Sequence, residues 1–170
     1  ASNGPGVANI LPGLVVEQAE GNRVLCITSA RRTGISYPDR GGTYQYFDQT
    51  ATIKQFAKWS EAVPSFDRIP EMLRMALRKC FEGRPGVVHL DIPENIMNTK
   101  VRCEINFWEP HQYRMIELPK ASQYQVERAA QLLKSAEFPI IHAGSGVLHA
   151  GAKQELTEVA ESLQAMVTTS

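Results

Sequence analysis

Two glycine turns and one polar loop hold the residues of this sequence that could do chemistry. Gly4-Pro5-Gly6 stands in front of an apolar stretch, Val7-Ala8-Asn9-Ile10-Leu11. Glycines at a helix start let a ligand approach the backbone and leave N–H groups to meet it. A plain tight turn reads the same way. Gly144-Ser145-Gly146 follows an apolar run and is two-thirds of a dinucleotide fingerprint, because His149 takes the third glycine position. Close strand–helix packing explains these glycines equally well. Ser145 is not a nucleophile elbow, since Ala143 and Val147 replace the flanking glycines. Gln45, Asp48 and Gln49 end a long loop over residues 33–43 and point either into a site or into solvent. His89, His111, His142 and His149 show no metal spacing, so no metal ligand is assigned. Cys26, Cys80 and Cys103 form no C-x-x-C pair, and the first two read as small packed hydrophobes. No acid, base or nucleophile stands in a recognisable catalytic arrangement.

The elements that must position these residues alternate between helix and buried strand. Leu14 to Ala19 reads as helix stopped by Gly21-Asn22, with Pro12-Gly13 kinking it or marking its start. Val24-Leu25-Cys26-Ile27-Thr28 reads as a buried strand running into Arg31-Arg32. Ligand sites in open α/β sheets lie beyond such carboxyl ends. A short helix over residues 50–56 and a strand over 57–63 follow. Ile69, Met72, Leu73, Ala76, Leu77, Cys80 and Phe81 then fall on one helical face, with Asp67 as the expected cap. Gly83-Arg84-Pro85-Gly86 turns the chain into Val87-Val88-His89-Leu90-Asp91-Ile92, a strand covered on both faces, and Pro93 stops it.

Residues 94–121 show no sustained period and read as an ordered linker lying against a surface through Trp108 and Tyr113. Ser122 to Gln125 is a capping box, and Val126, Ala129, Ala130 and Leu133 make a helical stripe. The strand Phe138 to Ala143, the glycine turn, a helix and the strand Ala165 to Thr169 are the first βαβ of a Rossmann-like domain. The expected class is therefore α/β, with parallel sheets and helices on both faces.

A hydrophobic content of 43% and a charged content of 21% over 170 residues are those of a globular protein. Eighteen basic side chains balance eighteen acidic ones, which argues against nucleic acid or an anionic membrane as partner. Arg31-Arg32 is a pair rather than a patch and reads as solvated loop charge. No run approaches a membrane span, and the cysteine usage fits a reducing cytoplasm. The chain opens on a loop with no strand in front of it, as if inside a domain.

The order Gly4-Pro5-Gly6-x-x-Asn9, Tyr44-Gln45, Lys58, Gly83-Arg84-Pro85-Gly86 with Asp91-Ile92-Pro93, and finally Gly144-Ser145-Gly146 resembles the thiamine diphosphate-dependent family of acetolactate synthase and its decarboxylase relatives. The resemblance covers nearly the whole chain. It implies the last part of a pyrimidine-binding domain (1–97), a linker (98–120) and the first part of a Rossmann-like central domain (121–170). It further implies a carboligase or decarboxylase, a transferase or lyase, acting on a 2-keto acid in a homo-oligomer, dimer or tetramer. Pro5, Gly6 and Asn9 would lie beside the pyrimidine end of thiamine diphosphate. Gln45 would match the active-site glutamine, although Tyr46 replaces the acidic residue after it. Lys58 would line the substrate approach. Arg84 and Gly144-Ser145-Gly146 would match positions that hold FAD, or ADP, in the flavin-containing synthases.

The family's catalytic glutamate precedes the Gly-Pro-Gly turn, and its Mg2+ and diphosphate ligands belong to a third domain. The resemblance therefore places both groups outside these residues. Glu94 stands where acetolactate synthases often carry Lys, and Tyr44 with Asp48-Gln49 is similar to oxalyl-CoA decarboxylase-like members. A non-catalytic nucleotide-binding module, or an inert fragment, is the competing expectation.

Overall fold

The computed structural model describes residues 1–36, 44–102, 104–117 and 119–170. Cys103 and most of the polar loop over 33–43 lie outside the described residues. The chain divides into two compact units, Ala1–Ile116 and Glu117–Ser170.

The first unit is a parallel three-stranded sheet. α1 (Pro5–Glu20) leads into β1 (Val24–Ala30), α2 (Thr33–Ser36), α3 (Gln49–Lys54) and β2 (Trp59–Ala62). A 3-10 turn (Phe66–Arg68) precedes α4 (Ile69–Phe81), followed by β3 (Val87–Pro93), α5 (Glu94–Met97) and α6 (Pro110–Tyr113). The strand order is β1-β3-β2, with β3 parallel to both neighbours. The alternation along β3 assigns its faces. Val87 packs with Val7, Leu14, Cys26 and Ile53, under α1 and α3. Val88 and Leu90 pack with Val63, Ala76 and Cys80, under α4. Burial of each such valine, leucine or isoleucine contributes about 1.5–3 kcal/mol.

α1 runs unbroken through Pro12. The proline removes one backbone donor, and the buried Val7 and Leu14 one heptad apart hold the helix to the sheet on either side of it. Gly21, at φ 73°, ends it: the Gly21 N–H donates to the Gln18 carbonyl and the Asn22 N–H to the Glu17 carbonyl. The expected helix near residue 50 starts one residue earlier, because Asp48 caps it by accepting from the Ala51 N–H at 2.8 Å. Asp67 does not cap α4; it sits inside the 3-10 turn, and Arg68 is the capping residue. The segment after β3 lies on α4 as expected. Arg74 stacks over the Trp108 ring at 4.1 Å, and Arg78 Nε donates to the Tyr113 carbonyl at 2.6 Å.

The second unit runs α7 (Gln123–Lys134), β4 (Ile140–Ala143), α8 (Ser145–Ala150), α9 (Lys153–Leu163) and β5 (Met166–Thr169). β4 and β5 pair in parallel from Ile140↔Met166 to Ala143↔Thr169. Ser122 and Gln125 form the reciprocal capping box of α7. The expected turn at Gly144-Ser145-Gly146 is instead a helix start. Gly144 is the capping residue, Ser145 and Gly146 open α8, and Gly151 at φ 67° closes it.

Candidate functional site

The three strands of the first unit end together at a cavity of about 530 Å³. Ala30 and the next residue Arg31 line it at the end of β1, Ala62 and the next residue Val63 at the end of β2, and Asp91 and Pro93 from β3. The loop at residues 45–48 and the first residues of α3 close the side. This is the carboxyl edge of a parallel sheet, where the backbone splays and leaves room for a ligand.

A buried polar network forms the floor. His89 is fully buried, Asp91 is 4% exposed and Gln49 is 5% exposed. The Thr28 hydroxyl donates to Asp91 Oδ1 at 2.6 Å, which leaves its oxygen to accept from His89 Nε2 at 2.7 Å. The ring's Nδ1 then faces the Ser60 hydroxyl at 2.8 Å, whose single proton also reaches the Thr50 carbonyl at 3.0 Å. Burial holds the His89 ring below the ordinary histidine range, with the Asp91 carboxylate opposing the shift. Gln49 Nε2 donates to Asp91 Oδ1 at 2.5 Å and to the Ser29 carbonyl at 2.8 Å. Its Oε1 accepts from the Gly4 N–H at 3.3 Å. The network thus ties the central strand to the start of α1.

That start meets the loop carrying Gln45. Gly4 has φ +61°, and a Cβ there would stand 2.3 Å from the Gln45 carbonyl oxygen. Gln45 itself holds φ 62°, a region few non-glycine residues adopt. Pro5 is exposed, Gly6 is half-buried, Asn9 is exposed, and α1 has no side-chain cap on its first N–H groups. Gly4, Pro5 and Gln45 therefore cluster at the carboxyl end of the sheet.

Lys58 and Arg84 lie at the other end. Lys58 Nζ donates to the Glu82 carbonyl at 2.5 Å, and burial lowers its pKa from the usual lysine value. Its stem covers Gly86, where a Cβ would lie 2.7 Å from Lys58 Cδ. Arg84 donates to the Ala19 carbonyl at the last turn of α1 and lies over Gly21. Cys26 and Cys80 are buried, and burial raises both thiols above their ordinary value, so they pack as protonated hydrophobes. In the second unit, among the described residues, a Cβ on Gly146 would meet nothing within 4 Å, and on Gly144 only the Ser170 hydroxyl at 3.6 Å. Packing therefore does not demand these glycines. Among the described residues no group of three or more His, Cys, Asp or Glu could hold a metal ion, and no helix is long and apolar enough to cross a membrane.

Residue-by-residue reading of the sequence missed the network. Its signal was present: His89 and Asp91 are two residues apart in an apolar strand, hence on one face.

Residues 126–170 match the family described as thiamine pyrophosphate enzyme, central domain. A probable acetolactate synthase large subunit of Methanocaldococcus jannaschii is 28% identical over 99% of this chain and 28% of its own length. Glyoxylate carboligase of Escherichia coli O157:H7 is 30% identical over 94% of the chain and 26% of its own length. The acetolactate synthase large subunit of Mycobacterium tuberculosis is 31% identical over 95% and 25%. The chain spans about a quarter of the length of these relatives.

Proposed function

We propose that the chain belongs to the thiamine pyrophosphate-dependent enzyme family and serves a carboligase or decarboxylase acting on 2-keto acids, acetolactate synthase-like, as part of a longer polypeptide. Residues 1–97 are assigned to a pyrimidine-binding domain, 98–120 to a linker and 121–170 to the central domain. The carrying observation is the uncapped start of α1 abutting Gln45 beside the cavity at the carboxyl edge of the sheet.

The residues present fit one end of thiamine diphosphate. An uncapped helix start with a neighbouring amide side chain suits a neutral ring bearing donors and acceptors. Pro5, Gly6 and Asn9 would face that ring, and Gln45 would reach toward the reacting substrate. When bound, the cofactor supplies the electron sink for loss of carbon dioxide. The protein's part is orientation: Asp91 fixes Gln49, Gln49 fixes the Gly4 N–H, and Gly4 fixes the backbone of Gln45. Mg2+ and the diphosphate would be held by residues other than these.

The resemblance puts Lys58 on the substrate approach, but its ammonium is bonded at the end of the sheet away from the cavity, so no substrate contact is assigned to it. The same reading assigns Arg84 and the Gly144-Ser145-Gly146 helix start to FAD or ADP, which the open space beside Gly146 supports. It also assigns the whole protein to a cytoplasmic homo-oligomer with the cofactor shared between subunits. The test is carbon dioxide release from pyruvate or glyoxylate by the full-length polypeptide before and after cofactor removal. Activity that vanishes without thiamine diphosphate and returns on its addition supports the proposal; turnover indifferent to the cofactor overturns it. The absorption spectrum of the purified protein reads the flavin.

A further inference from the structure

The sequence suggests solvated loop charge at Arg31, and the fold places it in the cavity wall. β1 and β3 pair in parallel as far as Ala30↔Pro93, so the next residues, Arg31 and Glu94, emerge side by side. Just beyond them the Thr33 N–H donates to Asn95 Oδ1 at 3.1 Å, and Asn95 Nδ2 donates to the Thr33 hydroxyl at 3.2 Å. The position of Arg31 is thus set by strand register and a two-bond clamp.

Its hydrogen-bonding capacity is underused. A guanidinium has five N–H donors. Arg31 Nη1 faces Glu94 Oε2 at 3.7 Å, and that same oxygen lies 3.6 Å from Arg32 Nε. Both distances exceed the 2.7–2.9 Å of a charge-assisted bond, and one carboxylate serves two cations. Arg31 Nε is buried with no partner. The other charged groups lining the cavity are engaged: Lys54 with Glu61 at 3.0 Å, Asp48 with the Ala51 N–H, and Asp91 with Thr28, Gln49 and Thr50.

The chemistry proposed above, on which this inference rests, says what such a cation can serve. The carboxylate of a 2-keto acid loses its charge as carbon dioxide departs. A cation gripping it would stabilise the ground state more than the transition state and slow the reaction. A cation in the wall is useful on an anionic group that survives the reaction. We propose that Arg31 is a specificity-determining residue, which selects 2-keto acids carrying a second carboxylate on the side chain.

The test uses the full-length polypeptide with thiamine diphosphate and Mg2+, comparing 2-oxoglutarate with pyruvate. The wild type favours 2-oxoglutarate, and Arg31→Ala lowers its kcat/KM by about 10- to 100-fold, mainly through KM. The loss on pyruvate is much smaller, so the preference collapses, and Arg31→Lys keeps part of it. Equal losses on both substrates, or an unchanged preference, overturn the proposal. If the wild type turns over no 2-keto acid, the activity reading fails instead. Calorimetric titration with glutarate then still decides: about tenfold weaker binding in Arg31→Ala supports the carboxylate role, and equal binding removes it.

Discussion

The two ends of the β1-β3-β2 sheet use similar residues for opposite ends. At the carboxyl end, polar groups are buried and hold one another: Asp91, Thr28, His89 and Gln49 form one network, and a backbone-to-backbone contact joins Gly4 to Gln45. At the amino end, the polar groups are long side chains bonding outward to carbonyls, Lys58 to Glu82 and Arg84 to Ala19. Long side chains yield under perturbation, whereas a buried network and a backbone contact do not. The carboxyl end is therefore the pre-organised one, as a cavity that must hold a ligand in one geometry requires.

The comparison breaks first at Asp91. Asp91→Ala leaves buried donors from Gln49 and Thr28 without their acceptor, and is expected to cost about 3 kcal/mol. The urea midpoint reports it. A loss under about 1 kcal/mol would mean that the network is not pre-organised. Asp91→Asn keeps the shape and one acceptor, and falls between.

The glycines set the ends against each other directly. Gly4→Ala puts a Cβ 2.3 Å from a backbone oxygen at φ +61°, so it should cost about 2 kcal/mol and displace Gln45. Gly86→Ala meets Gln18 Oε1 at 2.6 Å and Lys58 Cδ at 2.7 Å, both side-chain atoms, at a φ outside the left-handed region. It should cost about 1 kcal/mol, chiefly by moving Gln18 off the Val87 N–H. Thermal midpoints of the pair in one polypeptide test this, and a reversed order would contradict the contrast.

How far these ends were legible in the sequence follows the range of the interactions that build them. The double-sided burial of β3 and the face of α4 are local periodicities, and both were readable. The Gly4–Gln45 contact spans 41 positions and depends on a positive φ at a glutamine, for which no residue pattern exists. Arg31 entered the cavity wall through the Ala30↔Pro93 register, a fact of pairing that composition does not carry. Lys58 and Arg84 are singled out by resemblance alone, and their bonds to carbonyls 24 and 65 positions away depend on the turn at Gly83, which holds φ 61°.

His89 sharpens the comparison through pH. Burial lowers its folded pKa below the unfolded value of about 6.5. The native state therefore binds fewer protons than the unfolded chain as pH falls. The stability contribution is present above the unfolded value and is lost progressively below it. The slope approaches about 1.4 kcal/mol per pH unit for one proton. In His89→Leu, Thr28 still donates to Asp91, and the Ser60 hydroxyl has the Thr50 carbonyl as its acceptor. That variant should flatten the urea midpoint between pH 7 and 5, and an unchanged slope would assign the dependence to other groups.

The smallest effect is expected from Arg84, and its smallness is the point. The guanidinium satisfies one carbonyl at the exposed last turn of α1, while Gly21 and Asn22 already close that helix by donating to Gln18 and Glu17. A favourable cation at a helix end contributes about 0.5 kcal/mol when its head group remains in water. Arg84→Ala should therefore shift the urea midpoint by only that amount, with the shift shrinking further in high salt. Because the stability change is small, any loss of flavin absorbance in the same variant would be a direct reading of ligand contact. A loss of several kcal/mol would instead show that the amino end is as tightly built as the cavity end, and the contrast between the two ends would fail.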